Sequence, residues 1–160
     1  MAKTIANVLV GVAKLEFKYP VGGTYVEVGY TEDGVTMEYN AETSEIEVEE
    51  ETVAIGRVIT KESIKFTCNM AEASLTNLNQ AMAGGVLAGA VVTLGAGAIK
   101  TVSVKLTGTN PALGARTIEI PLATAMGTVS NVYKKGTKTV VPVTFQAIKG
   151  AAAVCTITDS

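Results

Sequence analysis

Apolar and polar residues alternate with a period of two along most of the chain. Leu15, Phe17 and Tyr19 alternate with Glu16 and Lys18, and Pro20-Val-Gly-Gly23 then reads as a turn. Side chains two residues apart share one face of a strand, so this pattern predicts half-buried strands rather than helices. Val26, Val28 and Tyr30 repeat it up to Thr31-Glu-Asp-Gly34, where Asp-Gly predicts a hairpin because glycine tolerates positive φ. Val35, Met37 and Tyr39 resume one face. Glu45, Glu47, Glu49 and Glu51 then take the parity opposite to Ile46 and Val48, so a strand here would hold four carboxylates on one side. Val58, Thr60, Glu62, Ile64, Phe66 and Cys68 predict one long strand, with Lys61 and Lys65 on its other face. Four more strands are expected at 101–107, 116–122, 139–148 and 152–158, with a turn at 108–111.

A single segment has helical spacing. Ala71, Leu75, Leu78 and Met82 predict a helix over about 70–83, capped by Asn69, favoured by Glu72 in its first turn and stopped by Gly84-Gly85. The Gly- and Ala-rich stretch 84–97 has weak periodicity, with 91–94 suited to a short buried strand, and 125–136 reads as loop or irregular structure. The expected fold is mainly β: one domain over 1–160, an antiparallel β-sandwich or flattened barrel with one flanking α-helix. At this length about 70% of the unfolded chain's surface can be buried, so neither metal nor disulfide is needed as a staple.

Charge changes the picture more than composition does. Residues 19–56 carry ten carboxylates and no lysine or arginine, whereas 100–160 carry seven bases against two acids, so the net charge of −2 conceals a dipolar molecule. A subunit with an acidic and a basic region attracts a copy of itself head to tail, which generates rings or filaments when the geometry repeats. Histidine is absent, which removes the commonest general base, metal ligand and partner of a nucleophile. No catalytic residue, metal ligand or cofactor site is expected.

Other motifs fail on spacing. Gly95-Ala-Gly97-Ala-Ile-Lys100-Thr101 lacks the glycine that a phosphate loop needs before Lys-Thr, and the glutamates of 42–51 lack the Asp, Asn and Gly framing of a calcium loop. The apolar stretch 81–99 is interrupted by five glycines, so no membrane span is expected. Lys134, Lys135, Lys138 and Lys149 are the only basic concentration, too thin for a nucleic-acid groove. Cys68 and Cys155 each fall within a strand pattern and read as small core residues. No cleavable leader is expected at 1–7, and a reduced cytosolic life is the simpler expectation.

Taken in order, GTYVEVGYTEDGVTMEY at 23–39, EIEVEEE at 45–51, VITKESIKFTCNMAEASLTNL at 58–78 and KGTKTVVPVTFQA at 135–147 make the chain resemble the tail tube (major tail) proteins of long-tailed bacteriophages. The stretch 84–97 departs from that pattern. The resemblance, which extends to the tubes of contractile tails and type VI secretion, implies a non-enzymatic structural subunit of the virion tail, made in the host cytoplasm. It also implies hexameric rings whose joined sheets form a barrel and stack into a tube, with tape-measure and tail-tip proteins as partners and DNA passing without specific binding. A hairpin or loop in the first half joins successive rings in that family, and 42–60 is the segment here that matches. Glu42, Glu45, Glu47, Glu49, Glu50 and Glu51 are then expected at the inter-ring or lumenal surface, with Lys134, Lys135 and Lys138 as a complementary basic surface. The alternative expectation is a β-sandwich binding module, such as a phage decoration or tail-terminator protein.

Overall fold

A computed structural model describes residues 11, 13–95, 98–151 and 153–160; the leader reading at 1–7, together with Ala96, Gly97 and Ala152, lies outside the described residues. The elements in chain order are β1 (Lys14–Lys18), β2 (Val26–Glu27), β3 (Thr31–Ile46), β4 (Gly56–Met70), α1 (Leu75–Ala81), β5 (Val86–Ala88), β6 (Val91–Thr93), β7 (Val102–Thr109), β8 (Ala115–Met126), β9 (Val141–Ala147) and β10 (Thr156–Asp159). All strand pairs are antiparallel. The main sheet runs β2-β1-β7-β8-β9-β4-β3, with β10 added on β8, and β5-β6 form a separate hairpin.

One strand joins the two halves of the sandwich. The first part of β8 pairs with β7 on one side and with β10, through Glu119, on the other; from Ala123 onward it pairs with β9, reaching Met126 opposite Thr144. Pro121 sits at the changeover, where the missing N–H removes no β9 or β10 pairing. Leu15, Phe17, Val104 and Ile120 from one half pack with Phe66, Met70, Val143 and Phe145 from the other into one buried cluster. Among the described residues the sheet is open, ending at β2 and β3, so the antiparallel β fold with one helix holds and a closed barrel does not.

Three local expectations are corrected. Asp33-Gly34 is a bulge, not a hairpin: the ladder steps from Glu32–Asn69 to Val35–Cys68, leaving both residues as extras with φ of 61° and 77°. A bulge and a tight hairpin demand the same left-handed backbone, so the dipeptide alone does not distinguish them. Consequently β3 continues to Ile46, and the chain reverses through 47–55. Of the four carboxylates expected on one strand, Glu45 lies in β3, while Glu47, Glu49 and Glu51 lie in the connecting loop.

The helix is the second correction. It begins at Leu75 with Ser74 as cap, the Asn77 N–H donating to Ser74 Oγ at 3.2 Å, and Asn69 stays in β4. Ladder partners on both sides, Glu32 and Pro142, hold Asn69 extended, so tertiary pairing overrides local propensity. The helix buries Asn77, Asn79, Gln80 and Ala81 and exposes Leu75, because Asn77 Nδ2 donates to the carbonyls of Val28 and Glu72, each at 2.8 Å. Third, the strand expected at 91–94 exists as β6, but Val91 and Thr93 are exposed. The later strands shift by a few residues, the turn moves from 108–111 to Asn110–Gly114, closed by Leu113 N–H to Asn110 O at 3.0 Å, and 152–158 contracts to β10.

Candidate functional site

The segment 42–60 is most of a projecting arm. Since β9 pairs with β4 only from Lys65 to Met70, residues 56–64 of β4 have β3 as their one strand partner. Nine residues at about 3.3 Å each carry this ribbon roughly 30 Å beyond the β9 pairing. Every residue from 42 to 53 is exposed. Cross-strand register explains the pairs along it: Glu45 faces Arg57 and makes an ion pair with it, Glu42 faces Lys61 at 3.4 Å, and Tyr39 Oη donates to Glu62 at 2.7 Å.

The predicted acids therefore separate into two groups. Glu42 and Glu45 are partnered inside the arm, whereas Glu47, Glu49, Glu50 and Glu51 crown the tip with no ion pair among the described residues. Apolar side chains share that tip: Val53 is 75% exposed and Ile55 59%, with Val58 and Ile59 also exposed. Val58 has the same alternation parity as the buried Phe66 and Cys68 yet is exposed, because it lies on the ribbon beyond β9, a length that periodicity does not encode. Exposed apolar residues on a projecting, edge-bearing element mark an interaction surface.

The predicted bases form a tight turn. Lys134 O accepts from Thr137 N–H at 3.2 Å, Gly136 has φ 78°, Thr139 Oγ1 donates to Val132 O at 2.9 Å, and Tyr133 is exposed. Lys138 is held within its own chain, its Nζ 2.9 Å from Glu32. Lys134 and Lys135 have no ion partner among the described residues. The turn leads directly into β9, whose Val141 lies opposite Met70 at the end of β4, and Glu32 lies opposite Asn69 there. The acidic tip adjoins Gly56 at the start of the same strand. Fifteen residues of β4 separate them, about 50 Å. The two charges of the sequence are thus set at opposite ends of one strand.

A second charged network crosses the outer face of β2-β1-β7-β8. Lys14 bridges Glu27 at 3.1 Å and Glu16 at 3.3 Å, Lys105 meets Glu16 at 2.9 Å, and Tyr25 donates to Glu119 with its ring beneath Lys105 and Lys18. Burial pushes Glu16 up, but hydrogen bonds from Lys105 and Lys14 prevail and hold its carboxyl below the usual range. Burial and the Glu119 hydrogen bond raise the Tyr25 phenol. Lysine and tyrosine donors engage these carboxylates, so the network fastens β1, β2, β7 and β8 together. Among the described residues no cluster of three His, Cys, Asp or Glu could hold a metal, and no helix is long and apolar enough to cross a membrane.

No family model matches the chain, and no curated protein matches it. Among solved structures, the chain has the fold of a protein in a structure described as the tail of an empty GTA particle with C6 symmetry. The two share 8% sequence identity, the match covers 99% of each chain, and the TM-score is 0.54.

Proposed function

We propose that this chain is a structural, non-enzymatic subunit whose 1–160 domain assembles into hexameric rings stacked into a phage-type tail tube. The observation that carries the reading is the placement of an acidic arm and a basic turn at opposite ends of β4, about 50 Å apart. Opposite charges at opposite ends favour head-to-tail stacking over a closed pair. The shared fold with a protein of a C6-symmetric tail supports six subunits per ring. The open sheet edges at β2 and β3 support lateral joining between neighbours, because an unpaired strand edge is satisfied by another strand. In this reading the subunit belongs to the virion tail after synthesis in the host cytoplasm, and tape-measure and tail-tip proteins are its partners. Carboxylates facing the bore keep phosphates from adhering, so DNA passes unbound.

Charge exchange tests the stacking. Glu47, Glu49 and Glu50, at the unpaired tip, replaced by lysine give one variant; Lys134→Glu with Lys135→Glu gives another. Each alone brings like charges together and should lose tubes in negative-stain micrographs. Mixed, the basic arm of the first meets the acidic turn of the second, and the acidic arm of the second meets the basic turn of the first, so alternating rings should restore tubes. Tubes formed by either variant alone, or a mixture as inert as its components, would refute the contact. A wild-type protein that remains monomeric at high concentration with tail-tip components present would favour the decoration-type binding module.

A further inference from the structure

The stretch 73–99, which contains α1 and the β5-β6 hairpin, carries no charged residue. It borders a cavity of about 260 Å³ lined by Tyr19, Val26, Val86, Leu87, Asn79 and Gln80, between α1, β5 and the outer edge of β2. Asn79 and Gln80 are only 3% and 4% exposed, and Asn79 Oδ1 and Gln80 Oε1 have no hydrogen-bond partner among the described residues. Both acceptors lie too deep for an incoming donor to reach, so what the cavity presents to a partner is its rim. The rim side chains Tyr19, Val26 and Val86 are each about half exposed.

The arm tip has the opposite deficiency. Within 47–55 only the N–H groups of Glu51 and Ile55 donate to backbone carbonyls, to Val48 O at 3.3 Å and Ile46 O at 2.9 Å. The remaining N–H groups of the loop have no backbone acceptor among the described residues, and Val53 and Ile55 stand beside them in the open. We propose that the 47–55 tip of a second copy docks in this cavity, Val53 and Ile55 covering its apolar rim. Reach and charge agree with this choice of occupant. The arm projects from one end of β4; α1 starts five residues after the other end and packs against β9, which the Lys134–Lys135 turn precedes. A copy stacked head to tail brings its tip to that end, where its four glutamates meet Lys134 and Lys135 and its apolar residues meet the uncharged wall formed by α1 and β5. This docking rests on the stacking reading and adds to it the seat of the arm.

Disulfide trapping decides the matter. In a Cys155→Ala background, with Cys68 buried and retained, Val53→Cys protein is mixed with Val86→Cys protein, assembled, oxidised and run on a non-reducing gel. A Thr76→Cys seat serves in place of Val86→Cys if the latter fails to fold. The expected result is a disulfide-linked dimer at least tenfold more abundant than with a Thr128→Cys control. Six-fold rings or tubes in the micrographs without that enrichment would overturn the docking and leave the tube reading standing. No assembly from the Cys155→Ala background or from the wild type would sink both.

Discussion

Lys100 offers a quantitative check on how the end of the molecule near α1 is built. The residue is 8% exposed, and its ammonium donates to Asn79 O and to Gly85 O at 3.2 Å and lies 5.7 Å from the Tyr19 ring. These carbonyls belong to the last turn of α1 and the residue before β5, so one side chain fastens the helix to the hairpin. Burial lowers its pKa from 10.5 to about 8. The folded state therefore binds this proton more weakly than the unfolded state. The resulting cost is full below pH 8, falls as pH rises towards 10.5, and is gone above it. Between pH 7 and pH 9.5 the wild type should gain about 2 kcal/mol relative to Lys100→Met. For a chain of this size that corresponds to about 4–8 °C in Tm. Circular-dichroism melts of both proteins at half-unit pH steps measure it. Tyr25, whose raised pKa makes stability decline above pH 10, is present in both and cancels in the difference. The offset at pH 7 sums the lost hydrogen bonds with the full cost of the buried charge; the slope isolates the charge. A difference that stays flat from pH 7 to 9.5 would refute the account of Lys100 as a buried cation.

Two further outcomes follow from the fold. Gly34, at φ 77° in the β3 bulge, should resist a branched side chain, so Gly34→Val should cost about 1–2 kcal/mol in denaturant unfolding; an unchanged midpoint would argue against the bulge. Burial pushes the Cys68 thiol up to about 12 and also raises Cys155, so at pH 8 Cys68 should stay unlabelled by a thiol reagent until denaturant is added; rapid native labelling of both would contradict that placement.

Strands that touch the core were legible because one face is buried: Leu15, Phe17, Phe66 and Cys68 are all buried where alternation put them. Where pairing rather than burial decides, the pattern was silent. Asp33-Gly34 signals a left-handed backbone without saying whether the chain reverses, and the partners opposite Glu32 and Val35 are what keep it straight. The helix boundary failed for the same reason, since β9 and β3 claim Asn69 and Met70. Its buried face was unreadable from hydropathy because Asn77, Asn79 and Gln80 turn inward for hydrogen bonds to backbone, not for burial of apolar area. Charge segregation was plain in the sequence. Its axis was not, because the distance between Glu50 and Lys134 depends on the β4–β9 register.

The arm itself argues for a partner. A two-stranded ribbon is marginally stable alone in water, and exposed cross-strand ion pairs such as Glu45–Arg57 and Glu42–Lys61 add little. Beyond the β9 pairing the ribbon has no third strand, and from 42 to 53 no side chain is buried. A long free edge with Val53, Ile55, Val58 and Ile59 uncovered is also the kind of surface that aggregates without order unless something directs its pairing. In the proposed stacking four glutamates at the tip supply that direction: they repel other tips and are drawn to the lysines at the far end of another copy. In that proposal the charge segregation visible first in the sequence chooses orientation, while the apolar residues supply adhesion. An arm built this way would be stabilised end against opposite end, the arrangement that the charge-exchange variants test.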